Sequence, residues 1–299
     1  MISHFIAYIF LVANMALWSG ALVVARGVHE IAPPMALTFW RWVVTALILF
    51  PFIARNLRKE LPLKPEARHS VYWICVTMSV GTTLSLVAVN HTTAINAAVI
   101  NGVQPAVTAL AAFMILRERL TALQLLGIIS AFIGIVVMGF QANMTRLLQM
   151  NMNLGDFAML GAVTFWSLYA VELHRAKYLP SYGVLLFLTA CAGVIFGLPL
   201  YLIEESFSRS MQFNSITFTA VLYLSLGSTV VAVSLWNVSI RSVGANRAAI
   251  FLNLIPVFGA CLAIIFLGEK LYVYHMIGGA LIIFGILFAV QKLGKQSIF

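Results

Sequence analysis

Charge is scarce in this 299-residue chain: 9% of its residues are Asp, Glu, Lys or Arg, against about a quarter in a soluble globular domain. That shortage rules out water as the solvent for most of the surface. Acidic residues are the rarest, nine in all, and they are scattered at the ends of apolar runs. A membrane-embedded enzyme, such as a lipid-linked transferase, would be expected to gather carboxylates or histidines for acid–base or metal chemistry. Cysteine is sparser still, with three in all. Cys75, Cys191 and Cys261 lie inside apolar runs without metal-ligand spacing, which argues against a disulfide framework or a zinc site and reads them as small core residues. The sequence therefore calls for no catalytic residue, no metal and no cofactor.

What the chain has is apolar length, with 62% hydrophobic residues. A membrane span needs roughly 20 such residues, so ten spans would use most of the chain and leave no room for a sizeable soluble domain. Apolar runs between charged, Pro or Asn punctuation give spans near 5–27, 33–54, 71–90, 94–116, 121–140, 155–174, 182–203, 216–239, 244–267 and 271–291. The first run, Phe5 to Ala25, is longer than a signal-peptide core and has only His4 as a possible positive residue before it. It is read as a retained span in contact with the lipid bilayer.

The net charge of +9 would suggest nucleic acid in a soluble protein, but here the cations sit in the connectors. With the N-terminus inside, the inner connectors and tail hold Arg55, Arg58, Lys59, Lys64, Arg68, Arg117, Arg119, Arg175, Lys177, Arg241, Arg247, Lys292 and Lys295. The outer connectors hold Arg146, Arg209 and Lys270. Lys and Arg are retained on the cytoplasmic side, so both termini are expected there and nucleic acid is not an expected partner. Arg26 and Arg41 fall in the outer halves of spans 1 and 2, and the long side chain of Arg41 is expected to snorkel to the outer interface. Asp156 and Glu172 sit near opposite ends of span 6, where capping or interfacial exposure suffices, and His174 and His275 are also terminal.

The chain repeats itself. Trp18-Ser19 recurs as Trp166-Ser167 and Pro51 as Pro199, both at an offset of 148. Gly81-Thr82-Thr83 recurs as Gly227-Ser228-Thr229 at 146. Ala97-Ala98, Pro105, Glu118, Leu120, Gly127 and Gly134 align with Ala248-Ala249, Pro256, Glu269, Leu271, Gly278 and Gly285 at 151. The expected units are residues 1–141 and 153–293. Five spans per half is an odd number, so the halves enter the membrane with opposite polarity. Inverted repeats around a midplane site are a hallmark of secondary transporters, although channels also show such duplication. The expected fold is all-α, with ten transmembrane helices as two inverted five-helix repeats around a central cavity.

These residues also resemble a known pattern. The segment Ala97, Pro105, Leu116-Arg117-Glu118-Arg119-Leu120, Gly127 and Gly134 looks like the end of the EamA-type repeat of the drug/metabolite transporter superfamily. Its second copy is closer: Ala245, Ala248-Ala249, Leu254-Ile255-Pro256-Val257-Phe258, Leu267-Gly268-Glu269-Lys270-Leu271, Gly278-Gly279 and Leu281-Ile282. Overall the chain is most similar to the bacterial exporters of aromatic and other neutral amino acids. That resemblance implies an inner-membrane exporter with amino acids as its small-molecule substrate. There are departures: Arg117 stands where the second copy has Gly268, and Asn96 where it has Arg247. Small multidrug relatives carry a proton-coupling glutamate on helix one, whereas span 1 here offers Asn14 and no carboxylate.

Small residues mark close helix packing in lipid, and Gly127, Ser130, Ala131 and Gly134 with Gly278 and Gly285 fit that role. Cavity candidates come from polar residues. Asn101, Gln104 and Thr108 share one face of span 4, and Pro105 cannot donate to the carbonyl of Asn101. In span 9, Asn253 precedes Pro256, which likewise leaves the carbonyl of Leu252 without its usual donor. Paired interruptions in corresponding positions point to a transporter site. The competing reading is that both asparagines bond to neighbouring helices and the prolines only shape packing. Asn14 with Trp18, and Trp166 with Tyr169, face one way on spans 1 and 6, as cavity walls or else as interfacial anchors. Trp236, Asn237 and the run from Thr82 to Ser85 are further candidates.

A site of amides, aromatics and backbone groups suits a neutral or zwitterionic ligand. The expectation is a secondary transporter that exports amino acids by alternating access and can work as a monomer. Export of another metabolite or drug, a channel and a membrane enzyme are the alternatives.

Overall fold

In hydrocarbon no water is present to satisfy a peptide group, so a spanning chain must close its hydrogen bonds within helices or around a closed barrel. The computed structural model of the protein describes residues 2–92, 94–141, 143, 145, 153–207, 210–267 and 272–290. Among these the regular elements are all helical. Arg146, Arg209, Gly268, Glu269, Lys270, Leu271, Lys292 and Lys295 lie outside the described residues, as do the side chains of Arg26 and Asn96.

Span 1 is His4–Gly27, span 2 Pro34–Glu60 and span 3 Pro65–His91. Span 4 comes in two pieces, Ala94–Asn101 and Gln104–Leu116. Spans 5, 6 and 7 are Ala122–Gly139, Leu154–Arg175 and Tyr182–Phe207. Span 8 joins Ser215–Ser225 to Ala232–Val243 through a π-helical turn, Leu226–Val231. Span 9 joins Ala245–Ile250 to Ile255–Leu267 through a 3-10 turn, Phe251–Leu254, and span 10 is Val273–Val290. Among the described residues nine helical stretches are long and apolar enough to cross a membrane, and Val273–Ala289 is a shorter apolar helix.

Local chemistry explains the helix ends. Pro34 and Pro65 open spans 2 and 3, where a missing N–H costs nothing. Thr121 with Gln124, Asn153 with Asp156, and Asn214 with Thr217 form reciprocal capping boxes. Asp156 is thus a cap: it accepts from the backbone N–H of Asn153 at 2.8 Å and from the Thr92 hydroxyl. Arg117 ends span 4 in the left-handed region, with φ 58. Pro51 and Pro199 sit inside spans 2 and 7.

The largest interspan contacts pair 5 with 10, 3 with 6, 2 with 7 and 1 with 8. Each pair is either self-related or matched by another pair when the halves are exchanged. At the tightest contact, a methyl built on Gly127 would lie 2.5 Å from the carbonyl oxygen of Gly285, and one on Gly285 would lie 2.5 Å from that of Gly127. A methyl on Gly134 would lie 2.5 Å from the carbonyl oxygen of Gly278. Gly127 is the repeat mate of Gly278, and Gly134 of Gly285. Each early glycine therefore meets the mate of the late one, as only antiparallel related helices allow. Between them the hydroxyl of Ser130 donates to the carbonyl of Leu281, its own mate, at 2.8 Å. The pseudo-two-fold axis passes through that bond, and the halves are inverted.

Over-packing this contact forces the helices apart, at a cost of about 1–3 kcal/mol. Gly127→Ala and Gly285→Ala are each expected to lower the thermal unfolding midpoint of the detergent-solubilised protein by several degrees. Gly279→Ala, where a methyl meets nothing within 4 Å, should leave it unchanged or raise it.

Candidate functional site

A cavity of about 400 Å³ opens between spans 1, 2, 3, 4, 5, 6, 8 and 9. Its walls use the late part of span 1 (Trp18 to Ala25), Arg41 early in span 2, Thr82 to Leu86 late in span 3, and Met159 and Trp166 of span 6. With alternating chain direction, these parts share one half of the bundle, the half away from the termini. Toward the terminal face the bundle is packed shut. Ala7, Leu11 and Met15 are buried, Tyr8 stacks on Phe251 with ring centroids 5.5 Å apart, and Ala245, Ala248 and Ala249 are buried. At that face Glu118 bridges His174 Nε2 at 3.4 Å and accepts from Asn246 Nδ2 at 3.3 Å. Arg241 there donates to the carbonyls of Leu173 and Ala176, and Glu172 pairs with Arg175 at 2.8 Å.

Three indoles form the floor. Trp18 sits 5.8 Å from Trp166 and 5.2 Å from Trp236, centroid to centroid. Trp18 and Trp166 are repeat mates, so the pseudo-two-fold axis that crosses spans 5 and 10 also runs by the cavity. Trp18 donates its indole N–H to the carbonyl of Ser228 at 3.1 Å, and Trp166 donates to Ser85 Oγ at 3.4 Å. Each tryptophan thus braces on the opposite half.

Trp18, Ser85, Asn101, Gln104, Trp166, Trp236, Asn253 and Pro256 line the cavity. Asn14, Thr108, Tyr169, Asn237 and Pro105 are not among its lining residues. Four of these are tied up between helices. Asn14 donates to the carbonyl of Ala232 and Thr108 to Ser167 Oγ at 3.0 Å. The Tyr169 hydroxyl donates to Asn237 Oδ1, and both residues are buried. Helical spacing puts Asn14 and Thr108 on the right faces, but it does not report depth, and depth separates a wall from a packing contact.

The two proline sites differ in detail from the sequence expectation. Pro105 stands in the first turn of the helix Gln104–Leu116, where proline is tolerated, so span 4 restarts there after Gly102-Val103. In span 9 the carbonyl of Leu252 is not left free, because the N–H of Ile255 takes it in the 3-10 turn. The π turn of span 8 has no signal in proline or glycine spacing.

Arg41 is the correction with most consequence. Instead of snorkelling outward it is buried, 8% exposed, and lines the cavity. Its Nε donates to Thr229 Oγ1 at 2.7 Å and its Nη2 reaches Ser228 Oγ at 3.5 Å. The hydroxyl pair deep in the neighbouring apolar run was the available signal, since such groups can take a guanidinium inward.

Several residues that line the cavity carry polar atoms with no protein partner. Ser19 Oγ, Thr82 Oγ1, Trp236 Nε1 and both side-chain polar atoms of Asn253 are buried without a hydrogen bond. A buried unsatisfied group costs about 1–3 kcal/mol, so a shift of the wall that brings these groups to a ligand would be favoured. No cluster of three or more His, Cys, Asp or Glu able to hold a metal occurs among the described residues.

Apolar helices in inverted halves around a largely apolar cavity with a few polar groups are the architecture expected of a multi-pass membrane transporter. A family model described as the EamA-like transporter family matches residues 5–140 and 153–291, and the chain belongs to that family. It is 26% identical over 260 residues to the "Uncharacterized transporter YyaM" of Bacillus subtilis, covering 86% of this chain and 84% of that protein. An "Uncharacterized transporter" of Archaeoglobus fulgidus is 24% identical, with 95% of this chain and 97% of the relative covered. A solved crystal structure superposes with a TM-score of 0.75 at 18% identity, covering 95% of this chain and 96% of the other. That likeness concerns the fold.

A ligand-binding role for Asn253 would make stability and transport respond in opposite directions. Asn253→Leu removes two orphaned polar atoms and is expected to leave the unfolding midpoint unchanged or higher while cutting transport at least tenfold. A destabilised variant that transports normally would contradict this placement.

Proposed function

We propose that this chain exports aromatic and other neutral amino acids from the cytoplasm across a bacterial inner membrane, by alternating access. In this reading both termini are cytoplasmic, and the units that rearrange are residues 1–141 and 153–293. The proposed substrate-binding wall consists of Trp18, Ser85, Asn101, Gln104, Trp166, Trp236 and Asn253.

The observation that carries the reading is the cavity on the pseudo-two-fold axis. Its volume of about 400 Å³ falls in the range of small-molecule pockets. Indole faces supply an apolar wall, and the amides of Asn101, Gln104 and Asn253 supply donors and acceptors for a polar end. With cytoplasmic termini the cavity faces the outer half of the membrane, and the packed terminal side is the closed inner gate. Exchanging the geometries of the two halves would open the other side, because they are inverted copies. The family supports transport, and the amino-acid assignment rests on cavity chemistry and resemblance.

Counterflow in proteoliposomes tests it. Vesicles loaded with unlabelled tryptophan, phenylalanine or leucine should transiently concentrate the labelled amino acid, with saturation. Asn101→Ala and Gln104→Ala should lower that rate per molecule more than they lower membrane expression. Flux without saturation or trans-stimulation would indicate a channel, and no flux of any neutral amino acid would end the amino-acid reading.

A further inference from the structure

Among the described residues the cavity wall holds one fixed charge, Arg41, whose use is not explained by packing. An arginine stays protonated in proteins, and an ion in a low-dielectric setting is costly unless paired and hydrogen-bonded. Arg41 is held by the hydroxyls of Thr229 and Ser228 through Nε and Nη2. Among the described residues no other hydrogen bond reaches its guanidinium, and no carboxylate lies within ion-pairing distance. Its Cζ lies 5.6 Å from the centroid of the neighbouring Trp42 ring.

The guanidinium is deliberately aimed. Thr229 gives its own hydroxyl proton to the carbonyl of Leu224 at 2.8 Å, which leaves a lone pair for Arg41 Nε. The single hydroxyl proton of Ser225 is shared between the carbonyl of Val221 at 2.7 Å and the backbone carbonyl of Arg41 at 3.0 Å. Ser228 and Thr229 both belong to the π turn Leu226–Val231, and π turns inside α-helices often mark functional sites. Ser228 also joins the charge to the aromatic wall, since its hydroxyl meets Arg41 and its carbonyl accepts from Trp18 Nε1. A cationic fork and an indole are therefore both held by one residue.

We propose that Arg41 is the carboxylate receptor of the cavity, so that its substrates carry a free carboxylate next to an apolar or aromatic group. This deepens the transport reading above and rests on it. The planar fork of arginine matches a carboxylate, and the incoming anion completes the charge that the protein leaves open. An amine without a carboxylate meets a like charge and is rejected.

The test uses the full chain, purified in detergent, and matched ligands in three families: indole, phenyl and isobutyl, each as the amino acid, the carboxylic acid and the amine. Affinity is read by inhibition of labelled-ligand binding and by thermal stabilisation. The acids and amino acids are expected to bind roughly tenfold or more tightly than the amines. Arg41→Gln should erase that difference by weakening the carboxylates alone, and Arg41→Lys should keep part of it. If Arg41→Gln does not fold, Thr229→Val, which misaims the fork, should narrow the difference in a folded protein. Amines binding as well as acids, or a preference that survives Arg41→Gln, would overturn the assignment. Acids that bind through Arg41 when no amino acid does would end the amino-acid reading and leave the carboxylate site standing. A panel in which nothing binds would end both.

Discussion

A peptide group in hydrocarbon has nowhere to turn but to its own helix, and the architecture follows from that constraint. It makes every span a helix, and it makes each departure from the α-helix informative. The departures gather where the cavity is: the restart of span 4 after Gly102-Val103, the π turn in span 8 and the 3-10 turn in span 9. Irregular backbone is tolerated at membrane depth where it is buried in protein or lines a cavity. Asn101, Gln104, Ser228 and Asn253 stand at or beside these three places and all line the cavity.

The second organising element is the pseudo-two-fold axis. It crosses the bond between Ser130 and Leu281, and it runs by the Trp18–Trp166 pair. The first point is dense, with backbones in near contact at Gly127, Gly134, Gly278 and Gly285. The second is open. One axis thus joins a rigid seam to a cavity, and each central tryptophan reaches across to the other half for its hydrogen bond.

Much of this was legible in the sequence, because a ten-span pattern and a repeat at offsets of 146 to 151 are written in residue type and order. Spans, their punctuation and the small-residue seam follow from hydropathy and side-chain size. The cavity was legible in part. Trp18, Trp166, Asn101, Gln104 and Asn253 carry polar or aromatic chemistry at interrupted or repeat-related positions, and they face it. Asn14, Thr108, Tyr169 and Asn237 carry the same chemistry yet bond helix to helix, a distinction of depth that helical periodicity does not encode. Arg41 was misplaced for a related reason. A long cationic side chain near a span end can reach either way, and only the hydroxyls of Ser228 and Thr229, presented by the π turn, decide that it turns inward.

The bond from Ser130 to Leu281 also bears on why the two halves share one chain. In a dimer of identical subunits, whatever stands on one side of a two-fold axis must stand on the other. A hydroxyl donor would face a hydroxyl donor, and an arginine beside the cavity would bring a second one with it. Two like charges in one small chamber repel each other. Covalent linkage removes that obligation, and the repeat has used the licence: opposite Ser130 stands Leu281, and at the position matching Arg41, by the offset of Pro51 and Pro199, stands Thr189. A single polypeptide can therefore keep the mechanical benefits of symmetry while giving its chamber one positive pole.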